Sequence, residues 1–244
     1  MIQHKNNLVA FMEDMVFLKS WKKRLFDSLI FLGFFILYDR GIGLASLMAY
    51  NGSYYDDHYF WLQTLLLIFL SSMILFYLKR RYGLRLWQVK PLSYRVAFAL
   101  VLGLIWNALV IFIEGLLPLS ANGQAWANLL VNSTGVYYDE LILLHMLILG
   151  PLFEELLFRG YLMALMDKCP LIMKLSVSAL LFSLMHTYAY PFSLIHVVYF
   201  FLSGLGFAMA YTYSKTLIVP IVCHILLNTY LSFDFIVEVL RVYM

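Results

Sequence analysis

Long apolar runs, each about 20 residues and continuous rather than alternating, thread this chain and limit what it can become. A segment that crosses a bilayer as a helix needs roughly 20 mainly apolar residues. It must also satisfy its backbone internally, so helices are the default. The runs lack the period of two that a membrane barrel would show. Composition agrees: 63% of the 244 residues are hydrophobic, 13% are charged, and the mean hydropathy is +0.83. A soluble domain of this size has no single core that could hide so much apolar surface. The expected fold is all-α, a polytopic transmembrane helical bundle.

The runs predict seven spans, at about 25–49, 59–78, 95–117, 141–166, 171–189, 193–213 and 216–233. The stretch 235–244 is short for an eighth. Residues 1–23 read as a cytoplasmic tail or an interfacial amphipathic segment, and no cleavable signal peptide is visible. The first apolar run follows Lys22, Lys23 and Arg24 and is long enough to act as an uncleaved anchor.

Lysine and arginine set the expected orientation. Lys79, Arg80, Arg81, Arg85, Lys90 and Arg95 follow the second span, Lys168 and Lys174 the fourth, and Lys215 the sixth. The connections 50–58, 118–140 and 190–192 contain neither residue. This pattern puts the N-terminus in the cytoplasm and odd spans running outward. An odd number of spans puts the C-terminus outside, which Arg241 argues weakly against. The polar connection 118–139, with Asn122, Asn128 and Asn132, is the longest. The net charge of +3, with basic residues at segment ends, gives no sign of nucleic-acid binding. Cys169 and Cys223 are too far apart in sequence to suggest a disulfide framework or thiolate metal site, and read as small packing residues.

Against this background the polar residues inside spans stand out, because each costs about 2.5–3.5 kcal/mol on insertion scales. The fourth span carries Glu154, Glu155 and Arg159 near its middle. Glu155 and Arg159 are four apart in the favourable Glu-before-Arg order, which predicts an internal ion pair orienting the helix. Glu154 lies about 100° round the helix from Glu155. It has no local cation, and such a carboxylate suits general acid or base work. The bland alternative makes all three charges a packing lock between helices. Phe182 and His186 share a face on the fifth span, and His224 and Asn228 share one on the seventh. A lone histidine in a span is often a hydrogen-bonded core residue. Two histidines and an asparagine beside a buried diglutamate are harder to read that way, since each is otherwise an unsatisfied polar group in hydrocarbon. His145 falls about 180° from Glu154 on the helix and is expected to face away. His196 reads as interfacial, His4 and His58 fall outside the spans, and Asp39 and Arg40 interrupt the first span. Gly204 and Ala208 form a small-residue face for close helix packing.

Such a cluster offers two chemistries. In one, Glu154 and His186 polarise a water while His224 and Asn228 stabilise an oxyanion. In the other, Glu154, His186 and His224 hold zinc, and the metal activates the water. The chain has no His-Glu-x-x-His helix and no evident serine or cysteine nucleophile motif.

Glu154-Glu155-x-x-x-Arg159, Phe182-x-x-x-His186 and His224-x-x-x-Asn228, in this order on successive spans, resemble the CPBP family. These are the CAAX-protease and bacteriocin-processing (Abi) membrane proteins, related to type II CAAX prenyl endopeptidases. The resemblance covers roughly residues 140–232. It divides the chain into a tail (1–23), N-terminal transmembrane helices (24–139), a catalytic transmembrane core (140–234) and a C-terminal tail (235–244). It implies an intramembrane endopeptidase in a bacterial plasma membrane, acting on a membrane-associated peptide or protein. By motif, Glu154 is the water-activating glutamate, His186 its partner, His224 and Asn228 the oxyanion pair, and Glu155 and Arg159 the supports. The expected mechanism is metal-free, because only two histidines are available and asparagine is a poor zinc ligand. Zinc on Glu154, His186 and His224 is the competing expectation. Outside the enzyme reading stand a non-catalytic scaffold, immunity or regulatory protein of the same fold, and a proton-coupled transporter, for which repeat symmetry is lacking.

Overall fold

A computed structural model of the chain describes residues 22–38, 40, 57–84, 93–115, 141, 143–187 and 194–241. The polar connection 118–139, Asp39, the second half of the first predicted span, Arg85, Lys90 and nearly all of the N-terminal tail lie outside the described residues. Among the described residues every regular element is a helix. They run α1 (residues 22–38), α2 (Asp57–Tyr82), α3 (Tyr94–Gly115), α4 (residues 143–165), α5 (Leu171–Thr187), α6 (Leu194–Ser214), α7 (Ile218–Leu231) and α8 (Phe233–Arg241).

Among the described residues three helices are long and apolar enough to cross a membrane: Trp61–Tyr82, Tyr94–Ile113 and Leu194–Ser214. Ile218–Leu231 and Phe235–Arg241, bent by 74° at the break between them, are long and apolar enough only when taken together, as a broken span or a re-entrant pair. The C-terminal stretch is thus helical rather than a plain tail, and Phe235 and Val239, one turn apart, are its buried pair. Three charges interrupt the apolar length of α4, and α5 has 17 residues, fewer than the roughly 20 a full crossing needs. The seven-span count and the cytoplasmic N-terminus stay as sequence expectations.

Large apolar side chains coat the outside of the bundle. Leu62, Leu65 and Phe69 on α2 and Val101, Ile105 and Phe112 on α3 are all more than half exposed, as lipid-facing residues are. The protein is an integral membrane protein. At one end, Arg24 of α1 pairs with Asp167 just past α4 at 3.2 Å, and Arg81 of α2 pairs with Asp27 of α1 at 2.8 Å. The basic runs 22–24 and 79–81 therefore gather at the same end of the bundle.

The helices that carry the polar cluster are held by close backbone approach. On α6, Gly204 lies against Ala179 of α5, where an added Cβ would come within 3.1 Å of that residue's Cα. This fits the small-residue reading of Gly204 and Ala208. Trp106 of α3 lies across Gly206 and donates to the Leu202 carbonyl at 2.8 Å. Asn107, next along α3 and 5% exposed, donates to the Cys223 carbonyl at 2.7 Å. That bond fixes α7 beside His224. Cys223 fills the space opposite Gly103, in keeping with a packing role.

Candidate active site

The diglutamate sits on a helix that changes its winding twice. Residues His145–Leu149 and Leu156–Leu162 are π-helical, and the α-helical turns Gly150–Glu155 lie between them. The first wide turn has a sequence cause. Pro151 has no N–H and a ring that crowds the preceding turn, so regular α-helix cannot run through it. The Gly150 N–H reaches five residues back, to the His145 carbonyl. By the same step the Met146 carbonyl would face Pro151, which has nothing to donate. Asn228 of α7 supplies the missing donor, its Nδ2 lying 2.8 Å from the Met146 oxygen. Wide turns of this kind are rare and concentrate at functional sites.

Glu155 and Arg159 form the predicted pair, with Nη1 3.0 Å from Oε1 and both side chains fully buried. Arg159 is caged as well as paired. Its Nη2 donates to the Gly204 carbonyl at 2.7 Å, and its guanidinium lies 4.7, 5.4 and 5.8 Å from the ring centres of Phe182, Phe207 and Phe158. A desolvated cation over aromatic faces is worth about 2 kcal/mol. Removing one partner of a buried pair typically costs about 3–5 kcal/mol. The cage welds α4 to α5 and α6.

Glu154, His186 and His224 converge from α4, α5 and α7. Glu154 Oε2 lies 3.7 Å from His186 Nε2 and 3.8 Å from His224 Nε2. The other nitrogen of each ring is tethered. His186 Nδ1 lies 2.9 Å from the Phe182 carbonyl, and His224 Nδ1 lies 3.0 Å from Glu155 Oε1. Both of those oxygens accept, so Nδ1 carries the hydrogen in each ring and, in the neutral ring, Nε2 presents a lone pair. Aromatic floors hold the ring planes. His186 stacks on Phe200 and His224 on Phe207, both at 4.4 Å between centres, and Phe182 lies against each imidazole.

The two oxygens of Glu154 differ. Oε1 accepts a 2.6 Å hydrogen bond from the Tyr38 hydroxyl of α1. Oε2 is buried and has no hydrogen-bond partner among the described residues. One carboxylate oxygen and two imidazole lone pairs therefore face one another, all acceptors, and a hydrogen-bond donor or a cation would satisfy them. A water molecule with two hydrogens has the right chemistry and size. Among the described residues no group of three or more His, Cys, Asp or Glu side chains is arranged to hold a metal ion.

Of the sequence-predicted residues, Glu154, His186 and His224 meet directly, and Glu155 and Arg159 support them. Asn228 is one turn from His224, but its recorded bond goes to the Met146 carbonyl. His145 turns to Thr64 on α2, in line with its expected position away from the cluster. His186 lies on the last turn of α5, which ends one residue beyond it. His186 is also the most open member, with 22% of its side chain exposed against 8% for Glu154 and 5% for His224.

Tyr38, Asn107 and Trp106 were not among the sequence candidates. For Tyr38 a signal existed. Asp27, Phe31, Phe34 and Tyr38 recur at steps of four, three and four, a buried stripe with a polar group at each end.

The fold and the centre define a helical membrane protein with a carboxylate–imidazole site inside the bundle. Residues 139–230 match the family model described as type II CAAX prenyl endopeptidase Rce1-like. That family is one of membrane proteases, and the matched stretch bears the resemblance read from the three motifs. The match takes in α4 to α7 and leaves α1, α2 and α3 outside. No curated protein and no solved structure matches the chain.

Proposed function

We propose that the protein is an intramembrane endopeptidase that hydrolyses a peptide bond in a membrane-associated peptide or protein. The observation that carries this reading is the unpartnered Oε2 of Glu154, facing two imidazole Nε2 atoms at 3.7 and 3.8 Å.

In this mechanism a water donates its hydrogens to Glu154 Oε2 and His186 Nε2. Its oxygen attacks the peptide carbonyl carbon as Glu154 takes one proton. The carbonyl oxygen gains the charge and turns toward α7. To meet it His224 donates from Nε2, with a second ring proton taken up there before attack, while Nδ1 stays bonded to Glu155 Oε1 at 3.0 Å. The Asn228 amide carries two hydrogens, and the bond to Met146 uses one, which leaves the second for the oxyanion. Collapse breaks the C–N bond, and the proton held by Glu154 passes to the departing amine. Glu155 and Arg159 keep the helix and the His224 ring in register. The substrate class is peptides presented at the membrane, as in peptide maturation, self-immunity or CAAX-like processing.

Purified protein in lipid discs, incubated with membrane-proximal peptides, tests the reading. The wild type cleaves, and Glu154→Gln and His186→Ala do not while remaining folded. Equal cleavage by both variants would overturn it and favour a non-catalytic scaffold or regulator of the same fold. A chelator leaves the rate unchanged. Loss of activity that zinc restores would transfer Glu154, His186 and His224 to the metal reading.

A further inference from the structure

We infer that Tyr38 is a positioning residue of the active centre, and that α1 exists in part to deliver its hydroxyl to Glu154. This rests on the protease reading of Glu154 and adds to it a residue from outside the matched stretch.

The argument starts from the asymmetry of the carboxylate. Glu154 is 6% exposed, and a buried carboxylate free to rotate would present either oxygen to the histidines. Tyr38 removes that freedom. Its hydroxyl donates to Oε1 at 2.6 Å, and its ring stacks on Phe153, the residue before Glu154, with centres 4.3 Å apart and planes 18° from parallel. Packing thus fixes the phenol and the phenol fixes one oxygen. The remaining oxygen, Oε2, is the one that faces His186 and His224. A hydrogen bond to an ionised group is short and about twice as strong as a neutral one.

The helix behind Tyr38 is anchored in the same spirit. Asp27, three turns earlier on the same face, is gripped by Arg81 and by the hydroxyls of Tyr77 and Tyr82, and Tyr161 of α4 donates to the Asp27 carbonyl at 2.8 Å. Between the two ends, Phe31 and Phe34 pack against Tyr161, and Phe35 packs against Phe158. These partners lie on α4 and on α2 beside it. The arrangement sets the depth and rotation of α1, and with them the placement of one hydroxyl.

The test compares Tyr38→Phe with wild type and Glu154→Gln. Phenylalanine keeps the stack on Phe153 and removes only the donor. The expected result is a fall in kcat of about 10- to 100-fold, with KM within about twofold, since a charged hydrogen bond is lost without a substrate contact. A residue that merely fills space would leave kcat unchanged. A second readout needs no turnover. The infrared difference between wild type and Glu154→Gln isolates the Glu154 carboxyl band, and that band moves in Tyr38→Phe. If Tyr38→Phe does not fold, 3-fluorotyrosine at position 38 keeps the hydroxyl, sharpens its donation and must move the same band. Full kcat and an unmoved band in Tyr38→Phe, with Glu154→Gln inactive, overturn the role of Tyr38 alone. Cleavage by Glu154→Gln at the wild-type rate overturns the reading of Glu154 on which it stands.

Discussion

Asp27 on α1 and Glu154 on α4 are both buried carboxylates, 3% and 6% exposed, and each accepts a hydrogen bond from a phenol. Their surroundings then diverge. Both oxygens of Asp27 are bonded, Oδ1 to Tyr77 and Arg81, Oδ2 to Arg81 and Tyr82. Glu154 has a donor on one oxygen only, and its other oxygen faces acceptors. A carboxylate saturated by donors and a guanidinium is spoken for; it gains nothing by taking a proton or binding water. One held by a single oxygen is fixed in place yet chemically unfinished. Burial alone therefore does not mark a working carboxylate. The pattern of donors around it does.

Four substitutions test that contrast, and the largest effect belongs to the unfinished carboxylate. Glu154→Gln keeps the shape and removes the base. Peptide cleavage falls by about 10²- to 10⁴-fold while the thermal midpoint in detergent stays near that of wild type. A large loss of stability with little loss of rate would reverse the contrast.

Arg159→Ala comes next. It strands Glu155 in a fully buried position, and the bundle loses about 3–5 kcal/mol, read as a lower midpoint and poor accumulation. Retained stability would mean that the cage of Phe158, Phe182 and Phe207 holds without its cation.

Asp27→Asn is milder, because Arg81 keeps 23% of its side chain in contact with solvent. Unfolding titrations should show a loss of about 1–3 kcal/mol. Any fall in rate follows only from movement of α1. A catalytic defect as deep as that of Glu154→Gln, at unchanged stability, would break the division between the two carboxylates.

The smallest effect is expected for Asn107→Ala, which removes the bond to the Cys223 carbonyl. Interhelical hydrogen bonds in membranes average about 0.6 kcal/mol, so the midpoint shifts slightly. The rate falls modestly if α7 lets His224 drift from Glu155.

Much of the site was legible because its residues announce themselves by cost. Glu154, Glu155, Arg159, His186 and His224 are polar groups in apolar runs, and helical spacing alone paired Glu155 with Arg159. The spans at α2, α3 and α6 were legible for the complementary reason, being unbroken. The span count was less so. Pro151 and three charges interrupt α4, α5 falls short of a full crossing, and α7 bends into α8. Sequence spacing also gave no hint of the bond from Asn228 to the Met146 carbonyl, 82 residues away along the chain.

By itself, the sequence determined that this is a helical membrane protein with a carboxylate–imidazole cluster in its second half. Hydrocarbon allows few backbone solutions and tolerates few charges, so periodicity and composition suffice for that much. Only the tertiary structure decided which oxygen of Glu154 is free, which ring nitrogens face it and which helix holds it. Those are matters of a few ångströms between helices, and the bond from Tyr38 to Glu154 spans 116 residues. Local pattern carries no record of such a contact, because neither residue needs the other to form its own helix.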